Sequence, residues 1–182
     1  MVSKFDSDRE QAMGESCGCE SRSEAAGGGT RPIADAACPT NHQVGKAVET
    51  TTLKALLARP LTELRPVAYR FCKAPDCPTV YYSVDGSQTF AEADLRETVY
   101  QKHTRAVEQF VCYCFRHTLA SIRAEIEQTG RSTVPAQITA GIQAGQCACD
   151  IRNPQGRCCL GNVQQLVRQL EQNFQLRRST SG

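Results

Sequence analysis

The sequence predicts an α+β fold, with a small β portion followed by a helical portion. Three observations carry this. Thr79–Ser83 is rich in β-branched and aromatic residues, and the Asp85-Gly86 turn signal separates it from Thr89-Phe90. Beyond Cys114 the apolar residues recur at helical spacing. Ten of the eleven cysteines fall in close pairs, Cys17/Cys19, Cys72/Cys77, Cys112/Cys114, Cys147/Cys149 and Cys158/Cys159, and only Cys38 stands alone.

Residues 1–37 hold four Lys/Arg against seven Asp/Glu, the run Gly27-Gly28-Gly29 and almost no large apolar residue, so a disordered tail is expected. Residues 38–110 form the β portion. Thr51–Leu57 is short and apolar, and Val67–Phe71 alternates up to Cys72. With Thr79–Ser83 and Thr89-Phe90, this predicts two or three short strands around a cysteine-bearing turn. Residues 91–111 are ambiguous, because Leu95, Val99, Val107 and Phe110 fit either a helical stripe or a strand and connector. Residues 111–176 form the helical portion. Thr118 is placed to cap a helix bearing Leu119, Ile122 and Ile126 and stopped by Gly130. Thr133 and Pro135 open a second, with Ile138 and Ile142, stopped by Gly145. The stretch Cys147–Cys159 reads as a loop, and Asn162 as the cap of a last helix carrying Val163, Leu166, Val167, Leu170 and Phe174. Residues 177–182 read as a frayed tail.

Bulk properties exclude several functions. The chain has 182 residues, 40% hydrophobic content and no Trp, so its core is modest. Small domains of this kind often lean on metals for stability. A net charge of +2 gives no argument for nucleic acid or an anionic membrane surface. No apolar run approaches the ~20 residues that span a bilayer, so no membrane insertion is expected. The N-terminal stretch lacks a signal-peptide apolar core, and a cytoplasmic location is expected. In a reducing compartment, paired cysteines point to metal or redox chemistry rather than disulfides. No Ser/His/Asp order, phosphate loop or carboxylate pair suggests an enzyme.

Thiolate metal sites are built from short chelating loops, each giving two sulfurs to one centre. Adjacent Cys158 and Cys159 can scarcely bridge each other, and Cys-x-Cys closes too tight a ring for an unstrained disulfide. One constellation is Cys112-Tyr-Cys114 with the Cys147–Cys159 loop. A [2Fe–2S] cluster needs four ligands, and six cysteines are offered. Gly145, Gly156 and Gly161 let backbone amides approach sulfur, and Arg152 and Arg157 bring positive charge to the loop. The second constellation is Cys72-Lys-Ala-Pro-Asp-Cys77 with Cys38, which resembles half of a zinc ribbon. Structural zinc takes four N/S ligands. The stretch Cys38-Pro-Thr-Asn41-His42 supplies one cysteine where a ribbon has two. Asn41 is a poor ligand and His42 a chemically adequate one, while Cys17 or Cys19 could also complete the site. Cys17-Gly-Cys19 itself suits Cu(I) or nothing. His103 and His117 carry no motif.

Val111-Cys-Tyr-Cys-Phe115, Gly-Gln-Cys147-Ala-Cys149 and Asn153-Pro-Gln-Gly-Arg-Cys-Cys-Leu160 together resemble the N-terminal domain of CopZ-type copper chaperones. They also resemble stand-alone (2Fe-2S)-binding proteins with a CopZ zinc-binding domain. The downstream half is similar to the bacterioferritin-associated ferredoxin-like [2Fe–2S] domain. The resemblance spans about residues 38–163. It implies a zinc-ribbon-like β portion and a helical [2Fe–2S]-binding portion. Cluster ligands then fall on Cys112, Cys114, Cys149 and Cys159, with Cys149 selected by counting back from Asn153-Pro154. Zinc ligands fall on Cys38, Cys72 and Cys77. The family's fourth ribbon cysteine falls at Asn41, which leaves His42 as the nearest candidate for the fourth ligand. No Cys-x-x-Cys occurs, so copper delivery by a Met-x-Cys-x-x-Cys loop is not expected.

Three functions fit these residues. One is a one-electron redox or accessory factor carrying Zn2+ and a [2Fe–2S] cluster in copper or other metal homeostasis, working with a redox or metal-trafficking protein partner. Another is a metal-dependent sensor or interaction module, and a third is a zinc-only structural adaptor.

Overall fold

The computed structural model describes residues 36–180, and the Cys17/Cys19 pair lies outside them. The fold is α+β. Four short antiparallel strands form one sheet in the order β1 (Lys46–Val48), β2 (Tyr69–Phe71), β3 (Thr79–Ser83), β4 (Thr89–Ala91). The β2–β3 register pairs Tyr69 with Ser83 and Phe71 with Tyr81, and a bulge interrupts β3–β4 between Thr79 and Tyr81. All five residues of β3 are buried. That explains why its sequence is a continuous run of Thr, Val and Tyr rather than an alternation with charged residues. The β3–β4 hairpin turns at Gly86, whose φ of 71° is the left-handed geometry foreseen for Asp85-Gly86.

The short apolar stretch near Leu53 is a helix, α1 (Thr50–Leu56). Three consecutive threonines are weak helix formers, so burial of Thr52, Leu53 and Leu56 decides the conformation. The ambiguous stretch 91–111 is the connector-and-strand alternative: a series of tight turns, with single-turn 3-10 segments at Glu92–Asp94 and Tyr100–Lys102, that enters a strand at Phe110. Leu95 and Val99 join the sheet core with Leu53, Leu57 and Phe90, and Val107 is exposed.

A two-stranded ribbon, β5 (Phe110–Cys112) with β6 (His117–Thr118), leads into the helices. Helix α2 (Leu119–Thr129) is capped by Thr118, whose hydroxyl accepts the Ser121 N–H at 3.1 Å, and ends at Gly130 with φ 82°. Helix α3 (Val134–Gln143) has Pro135 in its first turn. A single turn, α4 (Cys149–Arg152), interrupts the stretch expected to be a loop. The last helix, α5 (Leu160–Thr180), begins two residues before the expected Asn162 cap. The carbonyl of Cys159 already accepts the Val163 N–H at 3.1 Å, so the helical ladder starts at Cys159. Ile122 and Ile126 of α2, Ile138 of α3 and Val163, Leu166 and Val167 of α5 form one core, which includes Cys112 and Cys159.

The approach to β1 is equally constrained. A Cβ on Gly45 would lie 2.4 Å from the carbonyl oxygen of Phe71, a backbone atom of the paired strand. Gly45→Ala is therefore expected to destabilise the chain by about 1–3 kcal/mol, as overpacking does. Urea unfolding checks this, and an unchanged midpoint would show that β1 can move off β2 at no cost.

Candidate metal centres

Cys38, Cys72 and Cys77 are buried, and their sulfurs all lie within 4.8 Å of one another. Two turns place them. Cys72 ends β2 and donates its N–H to Val80 O at 2.8 Å, and Cys77 closes the loop with a 3.3 Å bond to Ala74 O. Cys38 lies in a turn in which His42 N–H reaches Cys38 O at 2.8 Å. That turn is tied to the sheet by Tyr82. Its hydroxyl accepts the Gly45 N–H at 2.6 Å and donates to Ala36 O at 2.8 Å.

Sulfur charge is provided for locally. Burial pushes the Cys38 thiol up, but N–H groups of Asn41 and Thr40 outweigh it and bring the thiol below its ordinary value. Burial dominates at Cys72 and raises it, against the Ala74 N–H and the nearby Lys102 cation. Lys102 Nζ donates to the carbonyls of Ala74, Cys77 and Thr79 at 2.6, 2.8 and 3.0 Å. One ammonium thus clamps the whole cysteine loop.

The structure does not bring His42 to the three sulfurs. Its φ is 58° and its side chain is exposed. It occupies the left-handed position that ends the turn, where a side chain points away from the turn's interior. Asn41 stands nearest instead. Its Nδ2 donates to Cys72 Sγ at 3.4 Å, and its Oδ1 accepts the Gln43 N–H at 3.1 Å.

A second group of sulfurs joins β5, α4 and the start of α5. Cys114 Sγ lies 3.5 Å from Cys149 Sγ and accepts the Ala148 N–H at 3.3 Å. The neighbouring Cys159 thiol favours the charged forms of both Cys112 and Cys149, and against the cost of burial it lowers Cys112 to about 7 and Cys149 to about 6. Cys159 itself is driven upward, because losing its proton would set three thiolates together. Burial raises Cys114 to about 12. Cys112 and Cys159 are buried, Cys114 and Cys149 half-buried. Of the remaining pair members, Cys158 is exposed and its sulfur accepts the Leu160 N–H at 3.5 Å, and Cys147 is half-buried.

The sulfur-bearing loop is seated on the sheet. Tyr81, wholly buried, donates its hydroxyl to Pro154 O at 2.6 Å. Gly156 has φ 65°, and a Cβ there would meet Val48 and Thr52 at 2.9 Å. Sequence reasoning did not single out Tyr81, Tyr82 or Lys102. A lysine far along the chain from the cysteines it clamps leaves no local motif.

Residues 35–96 match the zf_CopZ family, a zinc binding domain. That stretch thus resembles the CopZ zinc binding domain. The chain is also similar to the crystal structure of the Archaeoglobus fulgidus CopZ N-terminal domain, with 28% identity and a TM-score of 0.59. That likeness covers 71% of this chain and 96% of the other, a span that residues 35–96 alone cannot fill. No curated protein matches the chain. Among the described residues, no helix is long and apolar enough to cross a membrane.

Two tests follow from this chemistry. Lys102→Met leaves three carbonyls without their cation, and the stability of the chain should fall by about 2 kcal/mol in urea unfolding. An unchanged midpoint would mean the loop holds its shape unaided. In metal-free protein at pH 7, iodoacetamide should label Cys149 before Cys112, Cys114 or Cys159. Cys149 alone combines a thiol near 6 with partial exposure. Mass mapping that finds Cys114 or Cys159 labelled first would contradict this order.

Proposed function

We propose that the chain is a cytosolic metal-homeostasis factor that holds Zn2+ at Cys38, Cys72 and Cys77 and a [2Fe–2S] cluster at Cys112, Cys114, Cys149 and Cys159. It serves as a one-electron redox or accessory protein for a metal-trafficking partner and has no substrate of its own. The domain organisation proposed is a zinc-binding portion at 38–110 and a cluster-binding portion at 111–176.

The observation that carries the zinc half is the trio of buried thiols within 4.8 Å in a stretch matching a zinc binding domain. Those donors fit zinc, which takes thiolate ligands tetrahedrally and cross-links the turns that bear them. The cluster half is supported by four cysteines at β5, the turn after it, α4 and the start of α5, of which Cys114 and Cys149 have their sulfurs 3.5 Å apart. They are supplied with N–H groups from Ala148 to Cys114, from Phe115 and Cys114 to Cys112, and from Cys159 to Cys149. A donor set of thiolates with amide hydrogen bonds fits an iron–sulfur cluster, which supplies a one-electron couple when bound. The long reach of the likeness to the CopZ N-terminal domain, past residue 96, favours this over a zinc-only adaptor.

The chain's own residues then have defined parts. Cys159 stands where α5 begins, so the positive end of a 21-residue helix faces the sulfurs and favours their negative charge. Tyr81 and Gly156 fix the loop carrying Cys149 and Cys159. The exposed Ile151 on α4 and the Arg152 and Arg157 side chains flank the sulfurs on the solvent side, where an acidic partner would dock.

Anaerobic purification with metal analysis and EPR of the reduced protein tests the proposal. The expected result is about two iron and about one zinc per chain, since both sites fill stoichiometrically. Cys149→Ser is expected to abolish the native EPR signal and Cys147→Ser to leave it. A colourless, iron-free protein after reconstitution would leave only the zinc adaptor reading.

A further inference from the structure

Among the described residues, the Cys38–Cys72–Cys77 group offers three of the four ligands that structural zinc takes. Zinc in a closed structural site takes four N/S ligands. Among the described residues, only Cys38, Cys72 and Cys77 bring metal-binding atoms together there. His42 is exposed and outside the group. Asn41 is beside it, but both ends of its amide are engaged elsewhere: Nδ2 points a hydrogen at Cys72 Sγ and Oδ1 takes the Gln43 N–H. An amide that presents N–H to the sulfur supports a ligand and is not one itself.

The sulfur group is reachable from outside. A surface cleft of about 390 Å³ is lined by Thr40, Asn41, Lys73, Ala74, Pro75 and Cys77. Cys77 is the most exposed of the three sulfur-bearing residues, at 5% against 0% for Cys38 and 2% for Cys72. The cleft therefore borders the sulfur group at Asn41 and Cys77. Its size admits a small thiol or the tip of a cysteine side chain, and its wall carries both Lys73 and Asp76.

We propose that the fourth coordination position of the Cys38–Cys72–Cys77 site is open to an external thiol through this cleft, so that its zinc is exchangeable rather than locked. This rests on the zinc reading above. A metal bound by three thiolates carries one net negative charge, and the Lys102 cation next to Cys72 balances it. An external thiol that gives up its proton completes the tetrahedron as a fourth thiolate; release of the zinc then needs each of the three resident thiolates to be replaced by a further incoming ligand and to take up a proton. No oxidation is involved, since a proton leaves the incoming thiol and zinc keeps its charge.

Zinc K-edge X-ray absorption on the full zinc-loaded chain, prepared without thiol reductant, reads the ligand set while ignoring iron. The wild type is expected to show three sulfurs and one lighter atom, and four sulfurs once β-mercaptoethanol is added. Asn41→Cys is expected to show four sulfurs with no response to added thiol. It should also lose zinc to a chromophoric chelator at least about tenfold more slowly than the wild type, the scale on which ligand and supporting residues tune metal affinity. His42→Ala and the double variant Cys17→Ser/Cys19→Ser should behave as the wild type. Four sulfurs in the untreated wild type, lost in the Cys17→Ser/Cys19→Ser chain, would overturn the inference by placing the fourth ligand in the N-terminal segment. Loss of the lighter atom in His42→Ala would overturn it in favour of His42. No response of the wild type to thiol would overturn it as well. In each of these cases the zinc reading stands, whereas a chain that takes up no zinc defeats both.

Discussion

Two adjacent tyrosines on β3 organise this molecule. Successive residues of a strand point to opposite faces. Tyr82 reaches Ala36 and Gly45 and so holds the Cys38 turn against the sheet, while Tyr81 reaches Pro154 and holds the loop that leads to Cys159. Each hydroxyl is satisfied only because a backbone carbonyl has come to meet it. A buried phenol without a partner would cost roughly 1–3 kcal/mol, so each bond fixes where a distant cysteine turn can sit. Both tyrosines stay protonated and able to donate, since burial raises them. Both sulfur groups therefore hang from one fully buried strand.

The two cysteine turns solve the same physical problem in the same way. A buried thiolate needs hydrogen-bond donors, and short turns supply them from the backbone. After Cys38 the turn closes on His42, and after Cys112 it closes on Arg116; these two residues have φ of 58° and 57°. A non-glycine residue in that region costs about 1–2 kcal/mol. At Arg116 the cost is offset by the guanidinium lying 4.1 Å from the centre of the Phe110 ring. Among the described residues, His42 makes no comparable ring contact. In both turns, backbone N–H groups point at the first sulfur and lower its thiol.

Much of this was legible in the residues. The Thr118 cap, the Gly130 stop, the Asp85-Gly86 hairpin and the strand Thr79–Ser83 are local rules, satisfied within a few residues of chain. The start of α5 was not legible, because Asn162 is the better cap by type while the ladder starts at Cys159, whose position is set by the sulfur group. Helix α1 was missed because its threonines argue against helix and only burial under the sheet argues for it. The stretch 91–111 defied periodicity because it is built of short turns, with Leu95 and Val99 reaching the sheet core and Val107 left exposed.

The sequence by itself determined which residues could meet metal: cysteine pairing is a property of short loops and survives without knowledge of the fold. It also determined α+β order, since strand and helix periods are local. Tertiary structure alone decided what surrounds those cysteines. It gathers Cys38 with Cys72 and Cys77, turns His42 outward on a left-handed backbone, and sets Asn41 as a donor to sulfur. Lys102 likewise became part of the site only when three carbonyls of the cysteine loop converged on it. Hydrogen bonds between residues far apart in the chain depend on the path of the backbone in space, and no spacing along the chain encodes that path.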